Sequence, residues 1–203
     1  MGQHCYAFYK YDGSNLRFEW SHKQGWHKFG TRTQLVDANT PIYGEAITYF
    51  LRELADGVLT RVKDHLGKRF AATRSIIAYG EFYGDHSFGG VHVTSEPKYV
   101  VIFDVWIWQR GFIEPKEFKL YFSDWAVNGA MCMYEGKLNH DFITAVQTNT
   151  LPGWNLNEGV VCKWRNPNKP NAQQSNVFMT KIKTLDYLER LRAVYGAKWE
   201  EYA

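Results

Sequence analysis

Between His4 and Lys10 (HCYAFYK), and again between Asn15 and Trp20 (NLRFEW), apolar and polar residues alternate with the period of two that a half-buried strand requires. Asp12-Gly13 lies between the two runs and reads as the turn that joins them. Residues 26–34 (WHKFGTRTQ) suggest a third strand, and Asn39-Thr40-Pro41 a helix start. The period then changes. From Tyr43 to about Leu66, Ile47, Phe50, Leu51, Leu54, Val58, Leu59, Val62 and Leu66 recur on one face of an amphipathic helix. Residues 75–83 (SIIAYGEFY) and 98–108 (KYVVIFDVWIW) are rich in β-branched and aromatic residues and read as core strands, with a further strand over 116–122. Leu138 to Gln147 reads as a short helix capped by Asn139. Residues 158–164 and 177–183 are late strands, the polar segment 165–176 is the loop between them, and Thr184 to about Tyr195 is a closing helix. Strand runs with few helices predict an α+β fold of largely antiparallel sheets.

Composition narrows the picture only slightly. The 203 residues suit one domain, and 45% hydrophobic with 22% charged residues is enough for a sizeable core. Aromatics reach 17%, a supply for core packing or for stacking on bases. A net charge of +3 permits an anionic partner without demanding one. Cys5, Cys132 and Cys162 lie far apart with no C-x-x-C pair, which argues for reduced thiols and against structural zinc. No apolar run has the length of a membrane span, and the N-terminus lacks a signal-peptide pattern, so a cytoplasmic location and no membrane partner are expected.

Charge inside the strand patterns carries more information. Lys10 follows AFY, and Glu81 sits within AYGEFYG. Glu158 precedes GVV with Lys163 after it, and Lys181 and Lys183 share one face of MTKIK. Singly, each is an ordinary solvated strand residue. Two lysines side by side repel, however, unless an anion lies between them, and a phosphate suits that geometry. Gly80 and Gly84 beside Glu81, and Gly159 after Glu158, mark places where a ligand or another backbone approaches closely. His86 and His92 flank a Gly-rich turn, where a metal role competes with ordinary solvation.

In order, Lys10-Tyr-Asp12-Gly13, Gly80-Glu81-Phe82-Tyr83-Gly84, Phe103-Asp104, Glu158-Gly159-Val160-Val161-Cys162-Lys163 and Lys181-Ile182-Lys183 resemble the motifs of the covalent nucleotidyltransferase superfamily, the polynucleotide ligases and capping enzymes. K-x-D-G alone is weak; five pieces in order are specific. The resemblance implies a ligase adenylation domain with a nucleotide pocket between sheets, occupying 1–203 with no appended C-terminal OB-fold, since twenty residues follow Lys183. It implies ATP as donor, because only nine residues precede Lys10 and an NAD-binding extension needs more. It implies Mg²⁺ or Mn²⁺ as well. Lys10 would be the nucleophile that forms lysyl–AMP, with Lys181 and Lys183 on the phosphate. A lysine attacks only when deprotonated, and its ordinary pKa is ~10.4; nearby cations favour the neutral amine. Asp12, Gly13, Asn15, Arg32, Glu81, Phe103 and Lys163 would contact the nucleotide. Glu81 would take the ribose hydroxyls, Phe103 would stack on adenine or else fill the core, and Arg32 would contact the ribose or a substrate phosphate. Glu158 would hold metal. Asp104, on the opposite strand face from Phe103, receives no role.

Asn15 stands where DNA ligases and capping enzymes carry Arg, and this resembles the RNA ligases, although that branch often has His where this chain has Asp12. The expectation is therefore an ATP-dependent RNA ligase acting on 5′-phosphate and 3′-hydroxyl ends, with a helper protein or domain to grip the nucleic acid. A small DNA ligase, a non-catalytic nucleotide- or RNA-end-binding module and a GTP-using capping enzyme are the alternatives. The set of retained charges argues against the binding module, and Asn15 against the capping enzyme.

Overall fold

The computed structural model describes residues 2–167 and 175–202. In chain order the elements are β1 (His4–Lys10), β2 (Ser14–Ser21), β3 (Gly25–Gly30), β4 (Leu35–Val36) and helix α1 (Tyr43–Tyr49). A π-helical turn (Phe50–Leu54) carries α1 into α2 (Ala55–Leu66). Strands β5 (Ser75–Gly84), β6 (Lys98–Ile107) and β7 (Gly111–Phe112) follow, then α3 (Pro115–Phe118), β8 (Cys132–Lys137) and α4 (His140–Gln147). Strands β9 (Gly159–Arg165) and β10 (Val177–Lys183) and helix α5 (Leu185–Tyr195) complete the set, followed by a 3₁₀ segment, Gly196–Tyr202. Of the polar loop read between β9 and β10, residues 168–174 lie outside the described residues.

The strands form two antiparallel sheets, one ordered β10-β9-β1-β8 and the other β4-β3-β2-β5-β6-β7, which makes the fold α+β. Asp12-Gly13 is consequently not a hairpin turn. Lys10, ending β1, pairs with Gly159 of β9, whereas Ser14, opening β2, pairs with Phe82 of β5 and Asn15 with Glu81, so the chain crosses here from one sheet to the other. Only glycine fits the crossing, because a Cβ on Gly13 would lie 2.1 Å from the Phe82 carbonyl oxygen.

Strand periodicity divides the layers. Leu16, Phe18 and Trp20 of β2 join Ile76, Ala78 and Phe82 of β5 in a core covered by Ile47, Phe50, Leu54, Val58, Val62 and Leu66. Those six helical positions advance mostly by four. The π-helical turn at Phe50–Leu54 accommodates that stride and leaves Leu51 exposed. Cys5 and Ala7 of β1, Val160 and Cys162 of β9 and Ile182 of β10 form a second core against Phe142 and Val146 of α4. The alternate residues of both sheets, including Lys10, Val161, Lys163, Lys181, Lys183, Asn15 and Glu81, therefore face the space between the sheets.

Two further readings need correction. Residues 116–122 are helical, α3 running into a π-helical turn (Lys119–Ser123). Phe118 and Phe122 fit either period, but they stack at 4.9 Å, one turn apart, while Leu120, which a strand would bury with them, is 68% exposed. Pro115 at the first helical position starts the turn. The stretch 26–34 is a strand only to Gly30; Thr31 to Gln34 then turn into β4, closed by a Thr31 N–H donating to the Gln34 carbonyl at 2.9 Å.

Candidate active site

A cavity of about 480 Å³ lies between the sheets, and all eleven residues singled out in the sequence line it: Lys10, Asp12, Gly13, Asn15, Arg32, Glu81, Phe103, Glu158, Lys163, Lys181 and Lys183. They come from the end of β1, the crossing, β2, the β3–β4 turn, β5, β6, β9 and β10. Its size is that of a pocket for one small ligand.

Glu158 is the hub. It is 2% exposed, and its two carboxylate oxygens accept from two lysines, Oε2 from Lys10 Nζ at 2.6 Å and Oε1 from Lys183 Nζ at 2.6 Å. The lysines reach it because Gly159, which follows it, pairs with Lys10 on one side and Lys183 on the other. Lys181 lines the same cavity without sharing that carboxylate. Burial, then Lys10 and Lys183 nearby, push its ammonium below the usual lysine range. Burial pushes Glu81 up to about 7, with Glu158 and Asp12 adding to the rise and Lys10 opposing it. Burial and the Glu158 charge likewise raise Asp12. Anionic and cationic groups thus crowd one polar cavity.

Lys163 sits behind this cluster. It is 3% exposed, donates to Asp104 Oδ1 at 2.8 Å and to the Phe103 carbonyl at 2.7 Å, and so ties β9 in one sheet to β6 in the other. Asp104 does not turn away from Phe103's side as strict alternation requires. Tyr79 pairs with Asp104 and Gly80 with Ile102, so Phe103 is the extra residue of a β-bulge, and both Phe103 and Asp104 line the cavity. Burial raises the Asp104 carboxyl while Lys163 pulls it down.

Several wall residues escape the sequence reading. Tyr187 of α5 donates its hydroxyl to Asp12 Oδ2 at 2.9 Å, and its ring lies 4.8 Å from Lys183 Nζ. The Gly89 N–H donates to the same Asp12 oxygen at 3.0 Å, within a tight Phe88–Val91 turn whose two glycines have φ of 57° and 77°. His92 Nε2 lies 2.8 Å from Ser14 Oγ, so the loop after β5 is fastened to the crossing twice. His86 pairs instead with Glu96 at 2.7 Å, and among the described residues no group of three or more His, Cys, Asp or Glu is placed to hold a metal ion. Glu201 and Tyr202 line the cavity from the 3₁₀ segment. HSFGGVH was the available signal for the loop; a tyrosine in the final helix carried none.

The model of the RNA ligase family matches residues 3–183. Among solved structures the chain is similar to an RNA ligase of Naegleria gruberi in several forms. One is a mutant with ATP and manganese, at 17% identity and a TM-score of 0.58, covering 93% of this chain and 51% of that one. Another holds pyrophosphate, at 17% identity and 0.58, covering 93% and 52%. A third, a mutant with AMP and manganese, is 15% identical at 0.58, covering 93% and 52%. The chain spans about half the length of those ligases. No curated protein sequence matches it.

Proposed function

The chain belongs to the RNA ligase family, and from that premise we propose that it is an ATP-dependent RNA ligase in which Lys10 carries AMP. One observation carries this reading: Lys10 ends in a cavity at 2.6 Å from a buried carboxylate that also pairs with Lys183, with Lys181 lining the same wall. A lysine so held is no solvated edge residue. The Lys10–Glu158 pair has to open, and Lys10 has to lose a proton, before the nitrogen lone pair can attack.

Lys10 Nζ attacks the α-phosphorus of ATP, the bond to the β-phosphate breaks and pyrophosphate leaves. A 5′-phosphate oxygen of RNA then attacks the same phosphorus, breaking the P–N bond and freeing Lys10. The 3′-hydroxyl of a second end finally displaces AMP. Lys181 and Lys183 neutralise the charge that builds on the phosphate. Glu81 takes the ribose hydroxyls, Phe103 stacks on the base, and Lys163 holds the Phe103 backbone in place. Asn15 and Arg32 reach the phosphate or ribose from β2 and the β3–β4 turn. Once the Lys10–Glu158 pair opens, Glu158 Oε2 would be free to hold a divalent ion of the magnesium kind, with phosphate oxygens and water completing the shell rather than a protein cage. When bound, that ion supplies positive charge to the phosphates.

Incubation with α-labelled ATP and Mg²⁺ tests the reading. The protein is expected to take up label that pyrophosphate removes, and Lys10→Ala to take up none. Label on the Lys10→Ala protein would overturn it. A nicked duplex with RNA or DNA on each side separates this reading from a DNA ligase, which would seal the DNA nick better.

A further inference from the structure

A second cavity, of about 920 Å³, opens onto Lys10 from another side and shares Tyr9, Lys10, Tyr11 and Asp12 with the first. The two differ in charge. In the first, Lys10, Arg32, Lys163, Lys181 and Lys183 match in number the carboxylates Asp12, Glu81, Asp104, Glu158 and Glu201; among the described residues lining the second, Lys10 is the one lysine or arginine, against Asp12 and the exposed Asp85 and Asp124. The second is aromatic instead. The Tyr9 and Tyr11 rings are 4.8 Å apart, Tyr11 and Tyr83 again 4.8 Å, and Tyr99 continues the cluster at 5.9 Å from Tyr83. Val127 and Met131, both more than half exposed, give it an apolar wall.

We propose that this groove seats the terminal nucleoside of the strand that bears the attacking 3′-hydroxyl. The inference rests on the ligase reading above. In the joining step the acceptor's 3′-hydroxyl attacks the RNA 5′-phosphate that is joined to AMP, so the acceptor end has to lie beside the cavity that holds AMP, and the two cavities meet at Lys10. The phosphate-rich partner belongs among the five cations. The end that brings a neutral hydroxyl and a base belongs on the tyrosines, because aromatic rings stack on any base, while the excess of carboxylates over cations there disfavours a terminal phosphate. The position of the groove makes the polynucleotide, and not a second nucleotide, its occupant: a strand end there abuts the adenylylated 5′-phosphate without displacing the AMP.

The test isolates the joining step. The full chain is given a chemically 5′-adenylylated RNA donor and an acceptor RNA ending in a normal or an abasic 3′ nucleotide. Tyr83 does not line the first cavity, so Tyr83→Ala is expected to leave lysyl–AMP formation from ATP unchanged. It is expected to slow joining to the normal acceptor by about tenfold or more, the scale of one base stacked on an aromatic ring. The abasic acceptor should cost the wild type a similar factor and the variant little more. Val127→Glu, an exposed position, should raise the acceptor KM without touching adenylation, and serves if Tyr83→Ala fails to fold. Wild-type joining by both variants overturns the groove, as does coupling of Tyr83 to an abasic nucleotide on the donor in place of the acceptor. Absence of lysyl–AMP in the wild type overturns the ligase reading instead.

Discussion

Glu158 holds two ammonium groups at 2.6 Å each while almost wholly buried, and its charge adds to the burial that raises the acids beside it. Glu81 is the one most affected. Burial, reinforced by Glu158 and Asp12 against the pull of Lys10 and Lys181, sets its carboxyl at about 7 rather than the ordinary 4.5. The sign of the consequence follows from proton counting. Between about pH 4.5 and about pH 7 the folded protein keeps a proton that the unfolded chain has released, so stability falls as pH rises through that window. Glu81→Gln, neutral throughout, is expected to remove this fall. It should unfold much like wild type near the lower end and be more stable above the upper end, by up to about 3 kcal/mol. Urea unfolding of both proteins at about pH 5 and about pH 8 measures it. Equal pH slopes in the two would mean that Glu81 ionises as if in solvent. The same variant should label more weakly with ATP if the carboxylate receives the ribose hydroxyls.

At the scale of elements, the crossing from β1 to β2 and the pairing of β9 with β10 position Lys10 and its neighbours. Gly159 has φ of 145°, and a Cβ there would lie 2.0 Å from the Ile182 carbonyl oxygen. Gly159→Ala therefore has to push β10 off β9 at the very pair, Gly159 with Lys183, that brings Lys183 to Glu158. Left-handed strain of about 1–2 kcal/mol and overpacking of about 1–3 kcal/mol should lower Tm by several degrees, at roughly 2–4 °C per kcal/mol in a chain of this size. Lysyl–AMP formation, assayed well below that Tm, should fall by about a hundredfold, the low end for a lost transition-state donor. A wild-type rate in a folded Gly159→Ala protein would show that β10 need not sit this close. Elements of this kind were legible where one period dominated: β2, β5, β9 and the long helix stand where the alternation puts them. The sequence said less where local and tertiary demands differ. Asp12-Gly13 has hairpin chemistry yet joins two sheets, the 116–122 repeat fits both periods at its phenylalanines, and β8, an edge strand with an irregular register against Ala7 and Phe8, has no clean alternation to read.

Across the whole molecule, the two sheets are held at the cavity by the Lys163–Asp104 pair and by α5, whose Tyr187 reaches Asp12. The ordered motifs gave seven charged residues of the wall, Lys10, Asp12, Glu81, Glu158, Lys163, Lys181 and Lys183, most of them on strand faces whose direction alternation fixes, but not Glu201 of the 3₁₀ segment. Tyr187, the Gly89 turn and Asp104 were illegible, since a distant helix, a loop contact and a bulge are set by tertiary packing. The same architecture separates two electrostatic regimes. Of the 24 lysines and arginines, five line the cavity between the sheets, and the net charge is only +3. An enclosed nucleotide feels its cations with little screening, whereas RNA outside the cavity meets exposed charges that salt screens over about 10 Å at 0.1 M. Affinity for a polyanion also falls with salt in proportion to the phosphates neutralised. Raising NaCl from about 0.05 to about 0.3 M should therefore depress joining of RNA ends at subsaturating RNA by tenfold or more, while lysyl–AMP formation at saturating ATP changes by less than about twofold. Both steps are to be followed on one preparation. A parallel decline would place the salt-sensitive charges inside the nucleotide cavity, and a flat joining rate would mean that the RNA is gripped by contacts other than exposed lysines and arginines.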